Sequence, residues 1–315
     1  MIMPDEIIDK VTTEDVKQDQ DAIESYINHV YERGIMLIDN RLWDGIDIFR
    51  YKGWWNNFTG TEERLLAALL IDRLIYRSEE HMLSMLFDLF TMSIPNCMRL
   101  SGDPNYGNNR KLLDILCNNC QSIRLVNINE ENVPSQSSGE IIHLVNHNMG
   151  VKRHNLIVQK EIQSEYDKGT RVFILMDDMI CSGEQIKKAL DAIAPSKYKD
   201  AYFYIAVCSA CDDGIDYIHK YYPNIGIAYT EFLSVNEHSF FQSLDYTKIP
   251  FESLEKLKEF YESFTKPRSF LKNKLYGKND MALVYAFQNS TPNASLPILY
   301  WKSQSFKQFL NKRGS

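Results

Sequence analysis

Hydrophobic and polar positions change their period along this chain near residue 120. Before it, apolar residues recur at helical spacing. Val16 to Arg33 predicts a helix after Thr12-Thr13, whose hydroxyls suit an N-cap. Trp54-Trp55-Asn-Asn-Phe58 and Gly60 precede a second helix with Leu66, Leu69, Leu70 and Leu74 on one face. Ser78 is placed to cap a third, in which Met82, Met85, Leu86, Leu89 and Phe90 form a core stripe. Pro95 to Asn109, rich in Gly, Pro and Asn, reads as a loop before a short helix at Arg110 to Cys117.

Beyond it, strands and helices alternate. Ile123–Ile128 predicts a strand, Gly139–His147 and Ile157–Tyr166 helices, and Val172–Met176 a central strand. Helix 183–193, strand 202–208, helix 213–221 and strand 225–230 follow, and Met281–Gln288 and Leu296–Trp301 read as two last strands. Such alternation implies an α/β fold, a parallel sheet with right-handed crossovers, preceded by an N-terminal helical region. The expected division is 1–118 helical and 119–315 α/β.

The stretch from Arg171 to Ile186 carries the most chemistry. Val172–Met176 is apolar on both faces, as in a central parallel strand, and runs into Asp177-Asp178. A short loop with Ser182-Gly183 then opens a helix. Ligands of parallel sheets collect beyond the carboxyl ends of the strands. Two carboxylates there accept hydrogen bonds from vicinal hydroxyls, while backbone N–H groups and the helix dipole hold a phosphate. A sugar 5-phosphate satisfies both halves. The plainer alternative is a strand-to-helix turn with an acidic pair at its solvated end.

Two further segments bear on this site. Asn129 to Gly139, with Ser135, Ser137, Ser138 and Gly139 before a helix, offers N–H donors to a second anion, or is a polar turn. Lys266 to Lys278 holds five basic residues and no acid, and reads as a linker or as a basic flap over pyrophosphate or RNA. No base pocket is legible; Tyr229 to Phe232 is the weak candidate.

Composition narrows the classes. At 315 residues, 44% hydrophobic and 24% charged, the chain is globular, and a net charge of −7 argues against a general nucleic-acid binder. No apolar run approaches a membrane span, the first residues do not read as a signal peptide, and the six cysteines read as reduced thiols, so a cytoplasmic protein is expected. Cys117/Cys120 and Cys208/Cys211 have C-x-x-C spacing but lie too far apart for a zinc ribbon, and packing explains them better. His143 and His147, four apart on a helix, lack a third ligand.

The Arg171–Ile186 segment resembles the ribose-phosphate motif of type I phosphoribosyltransferases: an apolar strand, two acids, and a loop of the Thr-Thr-Gly-Gly-Thr kind. The resemblance implies a parallel sheet of phosphoribosyltransferase type. It implies that Asp177 and Asp178 face the ribose hydroxyls of phosphoribosyl pyrophosphate and that Ile180, Cys181, Ser182, Gly183, Glu184 and Gln185 wrap the 5-phosphate. By the same resemblance, Ser135, Ser137, Ser138 and Gly139 hold pyrophosphate. Here Cys181 and Ser182 stand at the two Thr positions, Glu184 at the second Gly and Gln185 at the last Thr. Glu184 sets a negative charge beside the phosphate and lowers the affinity expected.

With Trp55-x-x-Phe58, Glu62-Glu63-x-x-Leu66-x-x-x-Leu70 and the closing Thr291–Pro297, the chain resembles the phosphoribosyltransferase-like effectors of bacterial conflict systems, including retron anti-phage systems. That implies a toxin-like effector acting at the anomeric carbon of phosphoribosyl pyrophosphate or a related nucleotide. Mg²⁺ would be bridged by the substrate, with no dedicated protein metal site. A reverse transcriptase or RNA of a defence complex is the implied macromolecular partner, no membrane is involved, and an oligomer is allowed. The alternative is a catalytically inactive fold serving as ligand sensor or assembly subunit.

Overall fold

The computed structural model describes residues 13–102, 111–118, 120–128, 137–242, 253–268 and 274–312, without the side chains of 13–19 and 137. The first part runs α1 (Thr13–Asp39), α2 (Ile48–Trp55), α3 (Thr61–Asp72), β1 (Ile75–Arg77) and α4 (Glu79–Asp88). A π-helical turn (Leu89–Ser93), α5 (Ile94–Leu100) and α6 (Lys111–Cys117) complete it. The alternating part follows as β2 (Ile123–Asn127), α7 (Ser137–Met149), β3 (Leu156–Val158), α8 (Ile162–Asp167), β4 (Val172–Ile180) and α9 (Glu184–Ile193). It continues through β5 (Tyr202–Cys211), α10 (Asp212–Tyr221), β6 (Gly226–Leu233) and α11 (Val235–His238). The chain closes with α12 (Leu254–Thr265) and β7 (Tyr285–Phe287).

Strands β3-β2-β4-β5-β6 form one sheet, parallel throughout, as the sequence predicts. The chain leaves β2 for β3 on one side and returns as β4 on the other, so the strand order reverses between β2 and β4. Phe173, Leu175, Ile205 and Val207 face one apolar layer with Ile186, Leu190 and Ile218 of α9 and α10. Val172, Ile174, Met176 and Ala206 face the opposite layer with Met82, Leu86 and Val145 of α4 and α7. Burial on both faces accounts for the continuous apolar runs of β4 and β5. Ser78 caps α4 as predicted, its hydroxyl accepting from the His81 N–H.

Other expectations fail for physical reasons. Pro95 does not open a loop: helical backbone runs from α4 through the π-helical turn into α5, and the proline lies just past that turn without breaking the run. Leu156-Ile-Val158 is not helical but pairs with β2, and Glu161 accepts from the Val158 N–H at 2.9 Å before α8 begins. The strand expected over Met281–Gln288 shrinks to β7, which pairs in parallel with β1 in a separate two-stranded sheet. Leu296–Trp301 turns as a 3₁₀ segment at Pro297–Leu299, closed by the Trp301 N–H on the Pro297 carbonyl (2.8 Å). Thr12 of the expected cap lies outside the described residues.

Trp54, Tyr51 and Phe58 share one apolar cluster with Phe264, Ile298 and Phe309 from the end of the chain. Phe58 and Phe264 stack at 5.0 Å, and the Trp54 indole donates to the Ile298 carbonyl at 2.9 Å. This packing seats the C-terminal segment on α2, while Met281, Leu283, Tyr285 and Phe287 join the layer of the main sheet that holds Ile174 and Met176. No helix among the described residues is long and apolar enough to cross a membrane.

Candidate functional site

β4 extends past the predicted Met176 and carries the acidic pair inside the strand: Asp177 pairs with Val207, and Met179 and Ile180 with Ser209 and Ala210. Met176 and Met179 lie in one apolar layer while Leu175 and Ile180 lie in the other, so the strict face alternation slips across Asp177-Asp178. The pair is not at a solvated end, being 1% and 2% exposed. Asp177 accepts from the Asp178 N–H at 3.0 Å and from Gln185 Nε2, in the first turn of α9, at 3.1 Å. Cys208 lies close by. Burial pushes its thiol up, and the charges of Asp178, Glu231 and Asp177 add to the effect.

The loop from Ile180 to Gly183 ends on a left-handed glycine (φ +73°) at the N-cap of α9. A Cβ on Gly183 would stand 2.6 Å from the Gly214 carbonyl oxygen, and one on Gly214 would stand 2.2 Å from that of Cys181. The two glycines let the loop lie against the first turn of α10. The close approach that Gly183 permits is therefore to this chain, an explanation the sequence did not offer. The Cys181 thiol is hydrogen-bonded to Cys211, which together with burial pushes the Cys211 thiol up.

The second predicted loop falls partly outside the described residues, Ser135 entirely and Ser137 in its side chain. Ser138 is fully buried at the start of α7 and donates to Asn127 Oδ1 at 2.5 Å, tying that helix to the end of β2, one strand from Asp177. Gly139 follows in the same turn. No group of three His, Cys, Asp or Glu side chains able to hold a metal lies among the described residues.

Three residues that sequence reasoning did not place join this edge. Lys278 Nζ meets Glu184 Oε2 at 2.7 Å, and Lys278, Asn293 and Ala294 line a cleft with Ser182, Gly183 and Gln185. The cleft holds about 50 Å³, far below the roughly 300–1,000 Å³ of a ligand pocket. Two strands away, Glu231 accepts from Arg77 Nε (3.3 Å), Ser209 Oγ (3.0 Å) and Tyr285 OH (2.8 Å), beside a wider cleft of about 460 Å³. Thr230 to Phe232, within the stretch marked as the weak base-pocket candidate, line that wider cleft, and Phe232 is 50% exposed. The strand predicted over 225–230 stops short of Glu231, and β6 runs on to Leu233. Nothing local marks Arg77 as its partner.

A family model described as PRTase-CE matches residues 51–312, which takes in the acidic pair, its loop and the closing Thr291–Pro297 segment. No curated protein and no solved structure matches the chain. The match spans most of the chain and agrees with the parallel sheet and the strand-loop-helix arrangement around Asp177, so the chain belongs to the PRTase-CE family of phosphoribosyltransferase-like proteins.

Proposed function

We propose that the carboxyl edge of β4 binds the ribose 5-phosphate part of phosphoribosyl pyrophosphate or a related nucleotide, and that the chain acts at its anomeric carbon. One observation carries the reading: the acidic pair and the glycine-capped N-terminus of α9 converge beside the strand-order reversal. Asp177 and Asp178 accept the ribose hydroxyls. The N–H groups of residues 180–185 and the positive end of α9 hold the phosphate. In this reading the first turn of α7, at Ser138 and Gly139, receives the pyrophosphate through its backbone N–H groups, since the Ser138 hydroxyl is committed to Asn127.

Substitution at an anomeric carbon passes through an oxocarbenium-like state, so the protein's part is to fix the sugar and keep water out. The acidic pair serves the first task when Gln185 gives up Asp177 to the sugar, and the burial around it serves the second. Its two carboxylates are hard oxygen donors that fit a Mg²⁺ held chiefly by the ligand's own oxygens. When bound, that ion supplies charge neutralisation at the pyrophosphate. As a conflict effector the chain would direct this chemistry at nucleotides or RNA in anti-phage defence, beside a reverse transcriptase or RNA partner.

The Gln185 amide on Asp177 and the small cleft favour a second reading, a ligand sensor without turnover. Calorimetry with phosphoribosyl pyrophosphate and Mg²⁺, followed by chromatography of the products, separates the two. Saturable binding is expected in the wild type and not in the isosteric Asp177→Asn and Asp178→Asn variants, whose circular dichroism stays native. Product formation selects the enzyme, and binding without product selects the sensor. A wild type that binds no sugar phosphate refutes both.

A further inference from the structure

We infer that Lys278 is a ligand of the 5-phosphate and that Glu184 occupies Lys278 as a competing anion until the phosphate arrives. The inference rests on the sugar-phosphate reading of the 180–185 loop and adds to it a cation and a gate. Glu184 is the first residue of α9, where an anion gains from the helix dipole, so its carboxylate stands in for the charge of a ligand. Lys278 Nζ lies 2.7 Å from that carboxylate, and Asn279 Nδ2 approaches its other oxygen at 3.5 Å. The Lys278 hydrogen bond holds the Glu184 carboxyl below its usual range. Among the described residues Lys278 is the only cationic side chain lining the cleft beside Ser182 and Gly183. A phosphate dianion on backbone N–H groups alone is incompletely neutralised, and a lysine supplies the missing point charge.

The lysine is held there by built backbone. Its N–H donates to the Asn293 carbonyl at 2.8 Å. Gly277 (φ +79°) packs so closely that a Cβ would stand 2.4 Å from the Ala294 carbonyl oxygen. Asn279, Asp280 and Ala282 take φ of +56°, +53° and +49°, on either side of a right-handed Met281, and positive φ is uncommon for residues other than glycine. Ala282 anchors the far end, its N–H on the Tyr276 carbonyl and its carbonyl accepting from Phe240, both at 2.8 Å. This part of the basic segment therefore lies against the phosphate loop, which neither a linker nor a flap over pyrophosphate requires.

Calorimetric titration of the full chain with ribose 5-phosphate, and with ribose as control, tests the gate. Glu184→Gln is expected to bind ribose 5-phosphate about fivefold more tightly than wild type, and Lys278→Met about fivefold more weakly, both differences shrinking in high salt. Lys278→Arg, which keeps the charge, is expected to stay within about twofold of wild type and guards against a folding defect in the methionine variant. Ribose affinity is expected to be the same in all four proteins. Wild-type affinity in both Glu184→Gln and Lys278→Met overturns the gate while leaving the phosphate loop standing. Absence of ribose 5-phosphate binding in all four overturns the loop reading and the gate together.

Discussion

Gly183→Ala probes the contact that positions the loop. The added methyl enters a backbone at φ +73° and stands 2.6 Å from the Gly214 oxygen, 3.1 Å from Ile218 Cγ1 and 3.2 Å from Tyr217 Cδ1. Holding alanine in the left-handed region costs about 1–2 kcal/mol. Overpacking against a backbone that cannot give way adds about 1–3 kcal/mol. Gly102 supplies the control, since its φ is +74° and nothing lies within 4 Å of its Cβ position among the described residues. Gly102→Ala therefore carries only the conformational cost. Urea midpoints at constant m should place Gly183→Ala below Gly102→Ala by about 1–3 kcal/mol. Equal shifts would refute the tight loop-to-α10 contact. The same geometry means that Gly183→Val would lose ligand binding through misplacement of the loop, whatever the phosphate does.

Glu231 gives a pH-dependent expectation. Burial pushes its carboxyl up, but Arg77, Tyr285 and Ser209 outweigh this and it titrates below its ordinary 4.5. A depressed folded value contributes stability that is present above about pH 4.5 and is lost as the pH falls through the folded value. Arg77→Met should cost about 1–3 kcal/mol near neutrality, and its deficit against wild type should narrow at about pH 4; a gap that does not change with pH contradicts the pairing. Elemental analysis should find no stoichiometric zinc, since Cys120, Cys208 and Cys211 are buried packing residues; one zinc per chain would reverse that reading.

What the sequence disclosed and what it withheld divide by range. The β4-loop-α9 unit is contiguous, so its apolar run, acids, glycine and helix could be read in order. Ser78 was legible because a cap is satisfied within three residues. The pairing of β1 with β7 joins residues more than 200 positions apart, and no local period records it. Pro95 misled because a residue that usually stops a helix lies here just past a π-helical turn, inside a continuous helical run. The acidic pair is buried because β4 continues to Ile180 in unbroken register with β5, a pairing partner that no local pattern around the acids records. Glu184 read as a liability for the same reason: its partner Lys278 comes from the far end of the chain.

The most direct test of the sugar-phosphate site is a crystal structure of the chain grown with phosphoribosyl pyrophosphate and Mg²⁺. Electron density is expected for the ribose hydroxyls on Asp177 and Asp178, with the 5-phosphate inside residues 180–185 and Lys278 turned from Glu184 onto it. Full ligand occupancy elsewhere, with the Gln185–Asp177 and Lys278–Glu184 contacts unchanged, would contradict that assignment.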